Sequence, residues 1–383
     1  MSQATAQEKI QRPEKGRFLS FVKKNAVMLI AFCAAVLSAF LVPPDEAYLG
    51  YFDVKTLCCL FGTLAVVCAL KNIHFFAILA RRIMVLAGNS RTAALALVYI
   101  TFIGSMLIAN DMALITFLPL GYYVFSTTGR KEEVATVFIL QNIAANLGGM
   151  LTPFGNPQNL YLYTHFAIPT GEFMEIMFLP FLVAIILITA CCFLIPRHSL
   201  RIEGMPHDAL PAGKTAVYII LFSLTILMVF RLLPVWLVLV AVVGVLLFMD
   251  RKALRMVDYG LLLTFVCFFI FSGNMARLPA VRDFFSGLLE KNTLLTSAFS
   301  CQVISNVPSA ILLSQFTDNY ASLLVGVNIG GAGTLIASLA SLITFKEYSN
   351  HYRDGVKGYI LRFTALNFSF LLIMTLFCLL IGR

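Results

Sequence analysis

Long apolar runs recur along the whole chain, and they constrain its fold more than any other feature of the sequence. Several reach the roughly 20 residues that an α-helix needs to cross about 30 Å of hydrocarbon. The runs do not alternate with polar residues, so they predict helices and not the strands of a membrane barrel. They occupy residues 26–42, 56–70, 93–109, 174–195, 217–230, 236–249, 261–272, 323–344 and 360–381.

The composition supports the same class of protein. Of the 383 residues, 60% are hydrophobic and only 12% are charged, and the mean hydropathy is +0.88. A water-soluble domain with so little charge would leave much of its surface apolar and would aggregate. Lipid removes that problem, so the sequence predicts an all-α polytopic membrane protein surrounded by a lipid bilayer.

The net charge of +9 is explained by where the basic residues lie. They are concentrated before the first apolar run and in the connections between runs, which is the distribution that the positive-inside rule describes. We therefore expect a cytoplasmic N-terminal tail over residues 1–24, a multi-pass position in the cytoplasmic (inner) membrane, and no nucleic-acid partner. This scheme leaves Arg231, Arg277 and Arg282 on the outer side as a minority.

No pattern of reactive side chains predicts an enzyme. The nine cysteines lie mostly inside apolar runs and form no CxxC pair, so we interpret them as small packing residues. The sequence shows neither metal-ligand spacing nor a nucleophile beside a base. We expect no enzymatic activity and no cofactor, and Na⁺ is the one metal ion kept open, with its ligands unassigned.

The stretch 93–127 is basic at both ends and polar in its middle. Arg91 precedes it, Asn110 and Asp111 interrupt it, and Arg130 follows it, so both ends prefer the same side of the membrane. A re-entrant hairpin with a buried tip fits, because irregular backbone inside a membrane is tolerated where it lines a protein cavity. Two full spans joined by a polar turn also satisfy the charges, but we expect the hairpin.

The two halves of the chain repeat each other. The segment 146–159 aligns with 328–341, and Asn, Gly, Gly and Thr recur in it at identical spacing. Upstream, the tripeptide Ile-Ala-Asn that ends at Asn110 aligns with the tripeptide Ile-Ser-Asn that ends at Asn306. The sequence therefore predicts a second hairpin, with its tip at Ser305 and Asn306.

Each copy has the same order of parts: a span opened by an aspartate (Asp53 or Asp258), a hairpin, a broken helix and a final span. The charges make the two copies run in opposite directions, and inverted repeats with paired interrupted helices indicate a transporter site near the midplane. Glycine pairs that only allow close helix packing are the alternative. We predict a first membrane repeat over 25–196, a cytoplasmic linker over 197–214, and a connecting helix with the second inverted repeat over 215–383.

The candidate site lies where the hairpins and broken helices meet. Free N–H groups at helix N-termini can hold an anion, and freed carbonyls with polar side chains can coordinate a cation. Glycines let the backbone unwind there, and prolines prevent the helix from re-forming. We predict substrate or ion binding by Asn110, Asp111, Thr152, Gly155, Asn156, Asn159, Ser305, Asn306, Thr334 and Ser338, and helix breaks at Gly148, Gly149, Pro153, Pro157, Gly330 and Gly331.

Asp111 is the most informative single residue of this set. A carboxylate deep in a bilayer is costly and is a functional candidate by default, because a proton or a bound cation must neutralise it. The alternative is a structural role, with Asp111 capping the helix that follows. The second copy has Val307 at the corresponding position, so coupling through an aspartate would belong to one half only.

Three motifs give the chain a resemblance to a known family. They are Ala-Asn-Asp-Met-Ala-Leu-Ile-Thr-Phe-Leu-Pro at 109–119, Gly-Asn-Pro-Gln-Asn at 155–159 and Ser-Asn-Val-Pro at 305–308. They resemble the hairpin and helix-break motifs of the ion transporter superfamily, in its citrate-transporter-like group. That group includes arsenite permeases, sodium/proton antiporters of the D type and divalent anion:sodium symporters. The first motif is closer to the Asn-Asp form of arsenite permeases than to the Ser-Asn-Thr form of dicarboxylate symporters.

The resemblance covers residues 53–383. It implies two scaffold regions and two transport regions, often in a homodimer that moves by an elevator mechanism. The chain departs from the pattern in lacking a threonine after both tip asparagines, and in having Leu339 and Ala340 where a second Asn-Pro is expected.

The sequence predicts a secondary active transporter for a small anion, an oxyanion or a carboxylate, coupled to H⁺ or Na⁺. A sodium/proton antiporter of the same superfamily is the alternative within this class. An anion channel is the alternative from another class, and it would conduct without a coupling ion.

Overall fold

The computed structural model describes residues 25–200 and 209–382. Within these ranges the regular elements are helices, and the only extended pairing is an isolated bridge between Asn89 and Ser199. The predicted all-α class is confirmed. The predicted tail 1–24 and residues 201–208 of the predicted linker lie outside the described residues.

The first half of the chain contains the first hairpin and the first broken helix, together with the spans that flank them. Its helices are α1 (Ala26–Leu41), α2 (Val54–Asn72), α3 (Phe75–Met84), α4 (Ser90–Ile108), α5 (Asn110–Thr127), α6 (Val134–Gly148), α7 (Pro157–His165) and α8 (Thr170–Phe193). Short 3-10 turns cover Glu46–Tyr51, Lys131–Glu133 and Gly149–Leu151.

The second half repeats this order after a pair of connecting helices. Its helices are α9 (Ala212–Val229), α10 (Val235–Met249), α11 (Arg251–Met256), α12 (Tyr259–Ala276), α13 (Pro279–Ile304), α14 (Asn306–Leu313), α15 (Tyr320–Ile329), α16 (Leu339–His351) and α17 (Val356–Leu380). Helix α9 begins at Ala212, inside the linker that the sequence predicts over 197–214.

Seven segments of the described chain are long and apolar enough to cross a membrane: Val54–Asn72, Ser90–Ile108, Lys131–Leu151, Thr170–Phe193, Ala212–Val229, Tyr259–Ala276 and Val356–Leu380. Large apolar side chains on the outer helices are strongly exposed, as at Phe40 (79%) and Phe248 (89%). Such a surface is stable against lipid and not against water. The chain is therefore a multi-pass membrane protein.

The repeat predicted from the sequence is visible in the local structure. Asp53 and Asp258 begin corresponding helices and cap them in the same way, each accepting a hydrogen bond from the N–H three residues on. Each capped span leads to a hairpin, α4–α5 in the first half and α13–α14 in the second. In each half a helix then stops and resumes, α6 to α7 and α15 to α16.

The two hairpins differ in length. Helices α4 and α5 have 19 and 18 residues, so each rises roughly 28 Å at 1.5 Å per residue. Helix α14 has 8 residues, which rise only about 12 Å. The long helix α13 bends at Asn292, whose backbone is extended, so that only its second part forms an arm of the hairpin.

Candidate functional site

The two hairpin tips have the same unusual backbone. Ala109, between α4 and α5, has φ 67° and ψ 151°, and Ser305, between α13 and α14, has φ 74° and ψ 159°. Positive φ is uncommon for residues other than glycine, and it persists where the surrounding structure holds it. Its recurrence at corresponding positions shows that the tips are two copies of one turn.

The asparagine after each tip residue folds back on its own helix. Asn110 Oδ1 accepts the N–H of Asp111 at 2.9 Å, and Asn306 Oδ1 accepts the N–H of Val307 at 2.9 Å. The prediction of free N–H groups at these helix starts is wrong for Asp111 and Val307. The side-chain oxygen of the preceding asparagine accepts each of these two N–H groups. Each tip thereby directs its side-chain NH₂ inward, and Asn110 Nδ2 donates to Asn146 Oδ1 at 3.1 Å.

The resumed helices α7 and α16 begin beside these tips. Asn156 and Ser338 precede them in extended conformation, which ends the preceding irregular segment and sets the new helix direction. A small cavity of about 40 Å³ lies at this point, and both tips and both helix starts border it. Its polar lining consists of Asn110, Asp111, Gln158, Thr264, Ser305, Asn306 and Ser338.

Buried polar side chains bridge the two repeats next to this cavity. Asn156 Nδ2 in the first break donates to Asn328 Oδ1 in the second repeat at 3.2 Å. In the opposite sense, Ser338 Oγ in the second break donates to Asn146 Oδ1 in the first repeat at 2.8 Å. The repeat alignment pairs Asn156 with Ser338 and Asn328 with Asn146, so the two crossed bonds are equivalent, and they hold the breaks of the two halves against each other.

Further amides complete the bridge. Asn159 Oδ1 accepts from Asn328 Nδ2 at 2.6 Å, and Asn142 Nδ2 donates to Ser341 Oγ at 3.3 Å. Asn159 Nδ2 also binds three carbonyls of the interrupted segment, those of Gly149, Met150 and Thr152. Asn159 therefore holds the break in shape, and its side chain is fully engaged within the protein.

Thr152 and Thr334 each form a hydrogen bond to a hairpin. Thr152 Oγ1 donates to the carbonyl of Met106 at 2.8 Å, and Thr334 Oγ1 donates to the carbonyl of Gln302 at 3.1 Å. Met106 and Gln302 each lie three residues before a hairpin tip. Both hydroxyls thus tie an interrupted helix to a hairpin, and neither threonine borders the 40 Å³ cavity.

The helix-break glycines are needed for space. Gly148, Gly149 and Gly330 keep right-handed helical backbone angles. A Cβ atom on Gly148 would lie 2.5 Å from the carbonyl oxygen of Phe102, and one on Gly330 would lie 2.9 Å from Cys301 Sγ. The close-packing interpretation therefore applies to these three residues. The chain leaves helical geometry a few residues later, as at Thr152 (ψ 144°).

Gly155, Gly331, Pro153 and Pro157 lie within the same interrupted segments. Gly155 packs against the backbone of Gly149, and a Cβ atom on Gly331 would come 3.3 Å from Asn306 Nδ2. Pro157 occupies the first turn of α7, where a missing N–H costs no helical hydrogen bond. These residues bring the two breaks and the second tip together.

Asp111 is placed in the first turn of α5, and its side chain does not cap that helix. Its Oδ1 atom is buried, and no described residue donates a hydrogen bond to it. The capping role considered for Asp111 is thus not found, because Ala109 occupies the N-cap position and Asp111 lies inside the first turn. A buried carboxylate oxygen without a partner is costly unless a proton or a cation satisfies it.

Several buried polar residues of this centre were not predicted as site residues. Gln158 borders the cavity, its Oε1 also lacks a donor among the described residues, and it belongs to the Gly-Asn-Pro-Gln-Asn run already noted. Asn142 lies one helical turn before Asn146, so helical spacing could have found it. Asn367 had no comparable signal, since it is a single asparagine in the apolar helix α17. Gln302 is half-buried in α13 and was likewise not predicted.

A conventional metal centre is not found in the part of the chain that is described: no group of three or more His, Cys, Asp or Glu side chains comes together there. The polar lining of the cavity is instead amides, hydroxyls and a single carboxylate. Oxygen ligands of this kind suit a hard cation such as Na⁺ or a proton.

The fold and the paired tips thus define a multi-pass membrane protein with a repeated hairpin and broken helix around one buried centre. The family model described as citrate transporter matches residues 14–327, so the chain belongs to the citrate transporter family. This confirms the resemblance that the three motifs indicate, and it makes the protein a membrane transporter.

Named relatives agree with this class. An uncharacterized transporter of Methanocaldococcus jannaschii is 30% identical over 330 residues, which are 86% of this chain and 90% of the relative. The inner membrane protein YbiR of Escherichia coli is 27% identical over 86% of this chain and 89% of its own length. The silicon efflux transporter LSI3 of Oryza sativa subsp. japonica is 32% identical over 139 residues, 36% of this chain and 26% of its own length.

Proposed function

We propose that this chain is an ion-coupled transporter of a small anion, an oxyanion or a carboxylate, and that a proton taken up by Asp111 drives it. The observation that carries the proposal is the buried Asp111 Oδ1 atom, which has no donor among the described residues and lies where both hairpin tips meet. A proton on this oxygen would remove the charge and the unsatisfied acceptor together.

The surroundings of Asp111 support a coupling role. None of the described residues that border the 40 Å³ cavity is a lysine, arginine or histidine, so none of them neutralises the carboxylate by opposite charge. Val307 occupies the matching position of the second repeat. Coupling through a carboxylate is therefore asymmetric between the halves, and removing a single side chain should abolish it.

The proposal extends to the setting of the protein. We expect the cytoplasmic membrane, with the N-terminus in the cytoplasm, on the basis of the charge distribution and of the relative named as an inner membrane protein. A homodimer with an elevator movement follows from the family resemblance. The two copies of the tip and break would then move together as the transport region.

The test is transport by the purified protein in liposomes. Uptake of labelled citrate, arsenite and silicic acid is measured under a pH gradient, under a sodium gradient and under neither. We expect a pH gradient to drive at least one of these probes, and Asp111→Asn to remove that drive while thermal melting stays close to the parent. Asp53→Asn is the control, because Asp53 caps a helix and does not border the cavity between the tips. The proposal would be contradicted if uptake were the same with and without the pH gradient and Asp111→Asn transported normally.

Sodium/proton exchange is the second candidate. Two observations favour it: the cavity of about 40 Å³ fits an ion or a few waters better than an organic acid, and its charged side chain is an acid. In this case sodium added outside would release protons from the liposomes with none of the three labelled solutes present. Anion flux without counter-ion coupling would instead indicate a channel.

A further inference from the structure

A second carboxylate faces Asp111 across a cavity distinct from the one between the tips. This cavity has a volume of about 80 Å³, and both Asp111 and Asp258 border it. Apart from these acids and Thr63, the side chains that line it are apolar. Two carboxylates therefore share an otherwise apolar space, with no lysine or arginine among its lining residues.

Asp258 also borders a wider cavity of about 260 Å³, where it is joined by Asn25 at the start of α1 and Lys346 in α16. Asp111 is not among the residues that line this wider cavity. Asp258 is thus the acid common to the two cavities. It is exposed, whereas Asp111 is half-buried with one oxygen fully covered.

We propose that Asp258 is the proton relay between Asp111 and the membrane side on which Asn25 and Lys346 lie, which the charge distribution predicts to be the cytoplasm. The proposal rests on the proposed coupling role of Asp111. A cavity needs about 10–15 Å³ and polar partners to hold one water. The 80 Å³ space has room for a short chain of waters, and the carboxyl groups of Asp111 and Asp258 and the hydroxyl of Thr63 are the partners that it offers them. The Asp258 carboxyl group gives its proton to the nearest water, that chain delivers a proton to Asp111 Oδ1, and the Asp258 carboxylate is reprotonated from the wider cavity.

The charged and titratable groups around Asp258 are few. Asp111 of α5 faces it across the smaller cavity and Lys346 of α16 across the wider one. On α2, Cys68 lies close enough to interact with the Asp258 charge.

Asp53 provides a matched control, because the repeat gives it the same structural task. Asp258 Oδ1 accepts the N–H of Leu261 at 3.0 Å, and Asp53 Oδ1 accepts the N–H of Thr56 at 2.9 Å. Asp53 borders neither the 80 Å³ nor the 260 Å³ cavity. Asparagine caps helices as well as aspartate does, so both Asp258→Asn and Asp53→Asn keep the cap. Asp53 also accepts the Thr56 hydroxyl at 2.5 Å, so Asp53→Asn disturbs its helix start at least as much as Asp258→Asn does, and a selective effect of Asp258→Asn reports proton transfer.

The experiment needs no substrate. Purified protein in liposomes is subjected to a rapid drop in pH, and infrared difference spectroscopy follows the carbonyl band of the carboxylic acid that forms. The Asp111 band is identified by its loss in Asp111→Asn. We expect Asp258→Asn to slow the appearance of that band by on the order of 10²-fold, the low end of what a positioned proton-transfer group contributes, and Asp53→Asn to leave its rate unchanged.

The outcomes separate the two proposals. An Asp111 band that rises at the parental rate in Asp258→Asn overturns the relay and leaves proton uptake by Asp111 intact. Equal slowing in Asp258→Asn and Asp53→Asn also overturns the relay, because it would report lost capping. Absence of any band sensitive to Asp111→Asn overturns both proposals together.

Discussion

At the scale of a single residue, the buried centre has no space for a side chain at Gly149. A Cβ atom there would lie 2.8 Å from the carbonyl oxygen of Gly155 and would also meet the Asn156 side chain. Asn156 in turn forms one of the two crossed bonds between the repeats. Gly149 was predicted to let the helix unwind. Its absent side chain instead leaves the space that the Asn156 side chain occupies in the polar bridge.

We expect Gly149→Ala to destabilise the protein by roughly 1–3 kcal/mol, the usual cost of overfilling a packed site. Gly244→Ala is the control, because Gly244 lies inside α10 with no neighbouring atom within 4 Å of the added Cβ. Alanine is favoured over glycine within a helix by up to about 1 kcal/mol. Thermal melting in detergent measures both, and equal melting temperatures for the two variants would refute the steric argument.

At the scale of elements, α7 is held at both ends. Its first turn borders the cavity between the tips, and its last turn is held by Arg231 from the turn between α9 and α10. Arg231 donates to the carbonyls of Tyr163, Ala167 and Ile168 and lies 4.2 Å from the centre of the Tyr163 ring. A cation at a helix C-terminus is favourable, which explains one of the outer arginines that the charge scheme left over.

We expect Arg231→Ala to loosen the end of α7, because hydrogen bonds from a charged group are worth about 1.5–3 kcal/mol. Amide hydrogen exchange should rise over residues 160–168. Arg282→Ala is the control, since the Arg282 guanidinium donates to the carbonyl of Ala276 at the end of α12. Unchanged exchange over 160–168 in Arg231→Ala would show that α7 is fixed by packing alone.

The order of elements could be read from the sequence, and their exact ends could not. The run 323–344 is continuous in hydropathy, yet it forms α15 and α16 with an irregular segment from Gly330 to Ser338 between them. The glycine pair predicted an interruption. The restart at Leu339 depends on Ser338, whose Oγ accepts the N–H of Ala340, and a capping serine is not distinguishable from other serines in an apolar run.

At the scale of the whole molecule, the first span is tied to the second repeat. Arg277, beyond the end of α12, forms a bidentate pair with Asp45, beyond the end of α1, at 2.9 and 2.6 Å. Asn274 of α12 also donates to Ser38 of α1 at 3.0 Å. Contacts between these two helices thus connect residues more than 200 positions apart.

The Asp45–Arg277 pair predicts an acid-dependent contribution to stability. The Arg277 guanidinium holds the pKa of the Asp45 carboxyl below its ordinary value. A lowered pKa contributes stability above the unfolded value, and this is lost as the pH falls below about 4. We expect Asp45→Asn to melt at a lower temperature than the parent at neutral pH, and this gap to narrow as the pH falls from about 4 towards 3. The double exchange Asp45→Arg with Arg277→Asp should recover part of the loss at neutral pH. A gap of the same size at both pH values would contradict this origin.

The sequence by itself determined the class of protein, the repeat and the position of the tips. Those properties follow from hydropathy, charge placement and residue spacing, which are local and additive along the chain. Only the tertiary structure decided which polar side chains bind each other and which oxygen is left without a partner. Asn110, Asn156 and Asp111 are equally polar in the sequence. Their difference arises in the fold, which brings Asn146 and Asn328 within reach of the NH₂ groups of Asn110 and Asn156. The Asp111 carboxylate has no N–H to donate, and it borders a cavity with one buried oxygen that no described residue bonds.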